Sequence, residues 1–315
     1  MIGCMILLIA GICQGSFGLG YKKFPPFAWS VFWGIYSTLC SLTALLFTIV
    51  SAPQAMQVFV QTDRKGLYMA FVMGAIWGLS AICFSKAIAR VGMSFVYGIS
   101  MGISTIVGSV TPMLLEKNLE NLTTVSFWLS LLLTLAGVGC VTAAGIKRDG
   151  KLQKSTLGML LSVAAGIGSG FMNVGFSCGD GMRVLLEQMS VSELGISAVR
   201  WLPVLLGGNL MAVIWCIGEA THRREWNTLF QSGAESRIGK LFGVSIIWYS
   251  ALMLYGYASY LLGEVGDTIG WILFNSLALM VSVFWGLKTG EWRRHPKTML
   301  FVGCGLMIAS WIFAI

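Results

Sequence analysis

The chain has 315 residues, 56% of them hydrophobic and 11% charged, with 39 glycines, 6 prolines and a formal charge of +8; its mean hydropathy is +0.79. A soluble domain carries roughly 25% charged residues, so this composition leaves no ordinary water-facing surface. A helical span needs about 20 apolar residues, and ten such spans with short loops use nearly the whole length, which excludes a soluble catalytic domain.

In chain order, apolar segments fall at about 2–20, 28–52, 66–89, 93–115, 122–146, 155–178, 193–219, 238–262, 266–287 and 297–315. We read all ten as transmembrane helices. Backbone in lipid must satisfy its own hydrogen bonds, and no segment shows the alternating pattern of a membrane strand. The first segment lacks a basic leader and a small-residue cleavage site ahead of Tyr21-Lys22-Lys23, so it reads as a retained span rather than a signal peptide. The expected fold class is an all-α membrane protein.

Lysine and arginine divide sixteen to five between the odd and the even connections of this string. The positive-inside rule then places the 147–154, 221–237 and 288–297 loops in the cytoplasm and both termini outside. Topology accounts for the basic charge, and no nucleic-acid partner is expected. The eight cysteines lie singly without a Cys-x-x-Cys pair, and His222 and His295 sit apart in charged loops. Neither a disulfide framework nor a metal site is expected.

The two halves of the chain resemble each other. At a shift of 155, Gly3, Ala10, Gly11, Ile12, Gly15 and Gly20 of the first segment meet Gly158, Ala165, Gly166, Ile167, Gly170 and Gly175 of the sixth. At 171, Ile76-Trp77 meets Ile247-Trp248, Ala87 meets Ala258 and Gly92 meets Gly263; at 166, Gly137, Gly139 and Ala143 meet Gly303, Gly305 and Ala309. The division expected is 1–150 and 151–315, five helices each. Five is odd, so the second copy inserts with the opposite orientation, the inverted-repeat plan of many secondary transporters, with the solute near midplane between the halves.

No energy-coupling loop is present: Gly233 to Lys240 has the wrong glycine spacing for a nucleotide-binding loop, and Leu241 stands where a magnesium-holding hydroxyl is required. The run Gly166-Ile-Gly168-Ser-Gly170 lies inside a membrane segment and reads as close helix packing. No paired acidic metal motif, histidine cluster or nucleophile-base pair marks an enzyme.

At Gly74-Ala75-Ile76-Trp77-Gly78, Arg90-Val91-Gly92-Met93-Ser94, Gly98-Ile99, Gly102-Ile103 and Ile106-Val107-Gly108 the chain resembles the L-rhamnose/proton symporter family of the drug/metabolite transporter superfamily. The likeness continues at Met172-Asn173, Gly207-Gly208, Asp267-x-Ile269-x-Trp271 and Glu291-Trp292. It implies ten helices in two inverted halves, residence in a bacterial inner membrane as monomer or homodimer, and uptake of a small sugar driven by a cation, with the proton as the coupling ion and no other cofactor. Export of amino acids or drugs is the other activity within that superfamily. Where asparagines are expected after Trp77-Gly78 in rhamnose carriers, this chain has Ala81 and Cys83, which bears on which sugar is carried.

Polar residues at membrane depth are costly and functional by default. Asp267, with its neighbour Glu264, is the candidate proton-coupling acid; a carboxylate favoured by a helix start is the other reading. Arg200 lies on the face of Glu193, so it either contacts solute or pairs with Glu193, which is then the fallback coupling residue. Gln14, Tyr97, Ser100, Ser104, Asn173, Asn209, Tyr255, Trp271 and Asn275 supply the amides, hydroxyls and aromatic faces that a sugar site requires, and each equally suits a bond between helices.

Overall fold

The computed structural model describes residues 2–16, 25–115, 124–150, 155–263 and 266–314. Gly20, Tyr21, Lys22, Lys23, Glu264 and residues 151–154 of the 147–154 loop lie outside them. Among the described residues the chain is all-helical: α1 (Ile2–Ser16), α2 (Trp29–Ser51), α3 (Ala55–Gln61), α4 (Arg64–Val91), α5 (Met93–Leu115), α6 (Val125–Asp149), α7 (Thr156–Ser177), α8 (Asp180–Gln188), α9 (Glu193–His222), α10 (Ala234–Leu262), α11 (Ile269–Lys288) and α12 (Thr298–Ala314). A 3-10 turn at Glu225–Phe230 precedes α10.

Eight of these helical runs are long and apolar enough to cross a membrane, the run Thr156–Gln188 counting once; α1 and α12 are apolar but shorter. Their outward faces carry bare Val50, Leu132, Leu160, Phe301 and Ile312, each at least half exposed. A water-soluble monomer does not present apolar surface on that scale, so this is a multi-pass membrane protein. The short helices α3 and α8 were not legible as segments. They pack together through Ala55, Val58, Met182 and Leu186 against Ile196 and Val199 of α9.

Local chemistry sets the helix ends. Asp63, Ser155 and Ser192 each turn a side-chain oxygen onto a backbone N–H in the first turn of α4, α7 and α9, replacing one of the partners missing at a helix start. Gly92 and Gly263 end α4 and α10 at φ of 91° and 71°, a region that side chains other than glycine enter at a cost.

Glycines then decide which helices meet and in which direction. Gly158 lies against Arg90 and Val91, and Gly175 against Ala70 and Met73, so α7 runs antiparallel to α4. Gly74 touches the backbone of Val204 and Gly78 that of Gly208, so α9 runs parallel to α4. Gly166 and Gly170 receive Ile103 and Val107 of α5, while Gly11 and Gly15 receive Leu277 and Val281 of α11, both parallel pairs. Along α6 and α12, Thr134 donates to Ser310 at 2.9 Å, and Gly137 meets Gly303 nearer the other end, an antiparallel pair. In the absence of a hydrophobic drive between helices in lipid, such close backbone contact supplies the attraction.

The packing of α4 on α9 admits a direct check. A Cβ at Gly74 or Gly78 would collide with main-chain atoms of Val204 or Gly208, which have no rotamer to move, whereas one at Gly139 or Gly305 meets nothing. Gly74→Ala and Gly78→Ala should each lower stability by about 1–3 kcal/mol, with Gly139→Ala and Gly305→Ala near neutral. Thermal unfolding in detergent measures this, and equal midpoints for the two pairs would contradict the packing.

Candidate functional site

The turn 266–268 between α10 and α11 folds tightly back on α10. A Cβ at Gly266 would strike the main chain of Ser259, so glycine there brings Asp267 onto the last turns of α10. Ser259 donates to Asp267 Oδ1. Ser177, at the end of α7, donates to Oδ2 at 3.4 Å.

The same Oδ2 receives Arg200 Nη2 from α9 at 2.7 Å. The arginine side chain is 3% exposed and Asp267 14%. Arg200 Nη2 also lies 2.8 Å from Asp180 Oδ1 at the head of α8, a carboxylate 48% exposed, and donates to the Phe176 carbonyl at 3.2 Å. The Asp180 approach is a charge contact off the hydrogen-bonding direction, since that oxygen makes no directed hydrogen bond. One nitrogen is therefore shared by two carboxylates, one sheltered and one wet. The guanidinium carbon sits 3.8 Å from the Phe176 ring centroid, a cation–π contact in a dry setting.

Neutral side chains lock the turn from the other side. Asn173 Nδ2 donates to the Asp267 carbonyl at 2.6 Å and to the Gly108 carbonyl at 2.8 Å. Tyr255 donates to Asn173 Oδ1 at 2.8 Å. Trp271 Nε1 donates to the Ser104 carbonyl on α5 at 3.1 Å, across a point where Gly108 leaves room for the indole. Phe176 stacks on Trp201 at 4.4 Å, and Tyr255 meets Trp271 edge-on at 5.4 Å. These rings keep water off one side of the ion pair, where charge interactions are stronger.

The structure thus gathers Asn173, Arg200, Tyr255, Asp267 and Trp271, with Ser104 joined through its carbonyl. Arg200 does not pair with Glu193 as its helical spacing allowed. Two charged partners from other elements take it instead, and Glu193 faces Tyr260 of α10. Ser100 donates to the Ser162 carbonyl and so ties α5 to α7. Tyr97 packs beside Phe84. Gln14, Asn209 and Asn275 stand outside the ion-pair centre, each with one buried amide atom lacking a hydrogen bond. Asp180 was missed in the sequence, since it lies in a connection between apolar segments and only the fold of α8 brings it to Arg200.

A sequence model of the family described as L-rhamnose-proton symport protein matches residues 1–314. The L-rhamnose-proton symporter of Escherichia coli O17:K52:H18 (strain UMN026 / ExPEC) is 24% identical over 332 residues, covering 96% of this chain and 94% of the relative. The proteins of the same name from Citrobacter koseri and from Enterobacter sp. (strain 638) are 25% and 24% identical, with the same coverage.

Breaking a buried ion pair from one side leaves an uncompensated charge. Arg200→Met, which strands the sheltered Asp267, should therefore destabilise by about 3–5 kcal/mol. Asp180→Asn, at a half-exposed position, should cost under about 1 kcal/mol. Thermal unfolding of the two variants tests this ranking, and an equal loss would mean that Asp267 does not depend on Arg200.

Proposed function

The chain belongs to the L-rhamnose-proton symport protein family, and from that premise we propose that it takes up L-rhamnose or a closely related monosaccharide together with a proton, by alternating access in the bacterial inner membrane. The whole-length family match carries this reading. The names of the relatives, all sugar symporters, favour uptake over export and a transporter over an enzyme.

The architecture we infer is ten transmembrane helices in two inverted repeats, 1–150 and 151–315, with α1 and α12 as the first and last spans. Its support is that equivalent positions make equivalent contacts. Gly3 abuts Leu261 and Leu262 on α10, while its equivalent Gly158 abuts Arg90 and Val91 on α4, positions offset from the first pair by the repeat shift of 171. Gly92 and Gly263, equivalent at that shift, both end their helices at positive φ. The antiparallel run of α6 against α12 is what inversion requires of the fifth and tenth spans. Each half contributes helices to the middle of the other, α7 against α4 and α1 against α10, so the halves are interlocked rather than side by side.

With the sixteen-to-five split of basic residues, both termini face outward. Asp180 and Asp267 then lie in outward-facing connections, and the ion-pair centre sits at the outer end of the bundle. Asp267 is the proton carrier in this reading. A proton and the Arg200 guanidinium compete for one carboxylate: the charged form ties the 266–268 turn to α9 and the end of α7, and the protonated form releases it. Asp180 makes the release affordable, because it still offsets the arginine charge once Asp267 is neutral. The solute binds deeper, among the neutral residues of α1, α5, α9 and α11, where Gln14, Tyr97, Asn209 and Asn275 stand.

Two measurements test this. In liposomes, Asp267→Asn should abolish proton-driven accumulation of L-rhamnose, yet keep at least part of its counterflow, because the amide retains the shape and loses the titration; normal accumulation would discard Asp267 as the carrier. In a cysteine-depleted variant in intact cells, single cysteines in the 221–237 and 288–297 loops should resist an impermeant thiol reagent. Strong labelling there would overturn the orientation.

A further inference from the structure

An inverted-repeat carrier exposes one solute site to either side in turn by exchanging the conformations of its two halves. A site used equally from both sides therefore lies on the pseudo-twofold axis. Residues in contact with their own repeat-equivalents mark that axis, because only near it do the two copies of a position meet.

Among the described residues two such contacts stand out. Gly137 and Gly303 meet through their main chains, each Cα facing the other's carbonyl oxygen, and this contact leaves no space for a ligand. Trp77 and Trp248, equivalent at the shift of 171, stack with ring centroids 5.7 Å apart and planes 13° from parallel. Trp248 is 6% exposed, and Tyr36 of α2 meets it at 6.3 Å, edge-on. Trp77 lies over Gly208, where any side chain would collide with its six-membered ring. The next residue, Asn209, is 4% exposed, and its Nδ2 has no acceptor. An amide N–H buried without a partner is costly, and a ligand hydroxyl is the acceptor it lacks.

We propose that Trp77 and Trp248 form the platform that receives the apolar C–H face of the monosaccharide, with Asn209 donating to one of its hydroxyls. The proposal rests on the sugar-carrier reading and on the inverted repeat above. A 6-deoxyhexose offers axial C–H bonds on its ring face, with a methyl group and hydroxyls around its edge, which matches indole faces uncovered as the two halves shift and an amide donor on α9, the helix that Trp77 packs against. Since the tryptophans are exchanged by the symmetry, each serves the solute in one state as the other does in the second. Loss of either is expected to have a similar effect. The platform is separate from the Asp267 centre, so proton and sugar are bound by different residues.

The test is L-rhamnose counterflow in proteoliposomes without a proton gradient, together with tryptophan emission of the same protein on adding L-rhamnose. Trp77→Leu and Trp248→Leu should each raise the half-saturating concentration by about tenfold, with Asn209→Leu acting in the same direction and Trp128→Phe, at the outer face of α6, without effect. The double Trp77→Phe, Trp248→Phe variant keeps two aromatic rings and should lose the sugar-dependent change in emission. Unchanged half-saturation in the two Leu variants overturns the platform while leaving the carrier reading intact. Should either Leu variant fail to fold, a wild-type emission response in the double Phe variant overturns it instead. Absence of counterflow in the wild-type protein would remove the sugar-carrier reading, and the platform with it.

Discussion

A guanidinium that is 3% exposed inside a membrane protein has to be neutralised where it stands, and much of one end of this bundle is arranged around doing so. Arg200 draws Asp267 from the turn before α11, Asp180 from α8 and the Phe176 carbonyl from the end of α7 onto one helix. The turn that carries Asp267 is itself held by Asn173, Tyr255 and Ser259. Four elements thus meet at one charge. The second carboxylate, Asp180, gives the guanidinium another partner beside Asp267.

Around this centre, packing follows from the absence of a hydrophobic drive between helices in lipid. Attraction must come from close contact, and close contact needs small residues. Gly74 and Gly78 let α4 reach the backbone of α9, while Gly158, Gly168 and Gly175 let α7 reach α4 along its length. At Gly74 and Gly78 the seam is backbone to backbone, with no side chains to unpick. One helix can rock on the next at small cost, which alternating access requires. Among the described residues the ion pairs between elements include Arg200 with Asp267 and, at 3.1 Å, Arg148 with Glu291, while neutral hydrogen bonds such as Thr134 to Ser310 tie helices along their length.

In the middle of the bundle the chemistry changes character. Charged groups give way to Gln14, Asn209 and Asn275, each with an unpaired amide atom, and to the stacked tryptophans. Neutral donors beside aromatic faces suit an uncharged polyol, whereas carboxylates there would hold cations. One helix, α9, carries both Arg200 of the charged centre and Asn209 of the neutral interior, so a movement of that helix is felt at both.

How much of this was legible beforehand depends on the range of the interaction. Membrane residence, helical class and the positions of the apolar segments follow from composition and local hydropathy, since lipid forces every long apolar run to satisfy its own backbone. The likeness between the two halves rests on glycine and tryptophan spacing alone, and Asp267, Arg200, Asn173, Tyr255 and Trp271 stood out as polar or aromatic groups at depth. Their partners did not. Helical spacing set Arg200 beside Glu193, seven residues away, but the charge is met by Asp180 and Asp267, 20 and 67 residues distant. Asp180 was invisible because α8 is too short and polar to read as a segment, and only its packing against α3 and α9 places its first residue at the arginine. The stacking of Trp77 on Trp248 was equally hidden. The sequence by itself determined that the chain spans a membrane and set these two tryptophans at matching places in its internal likeness; only the tertiary structure decided that they touch and which carboxylates share Arg200, because contacts between distant segments depend on how helices cross, and no local pattern of residues records that.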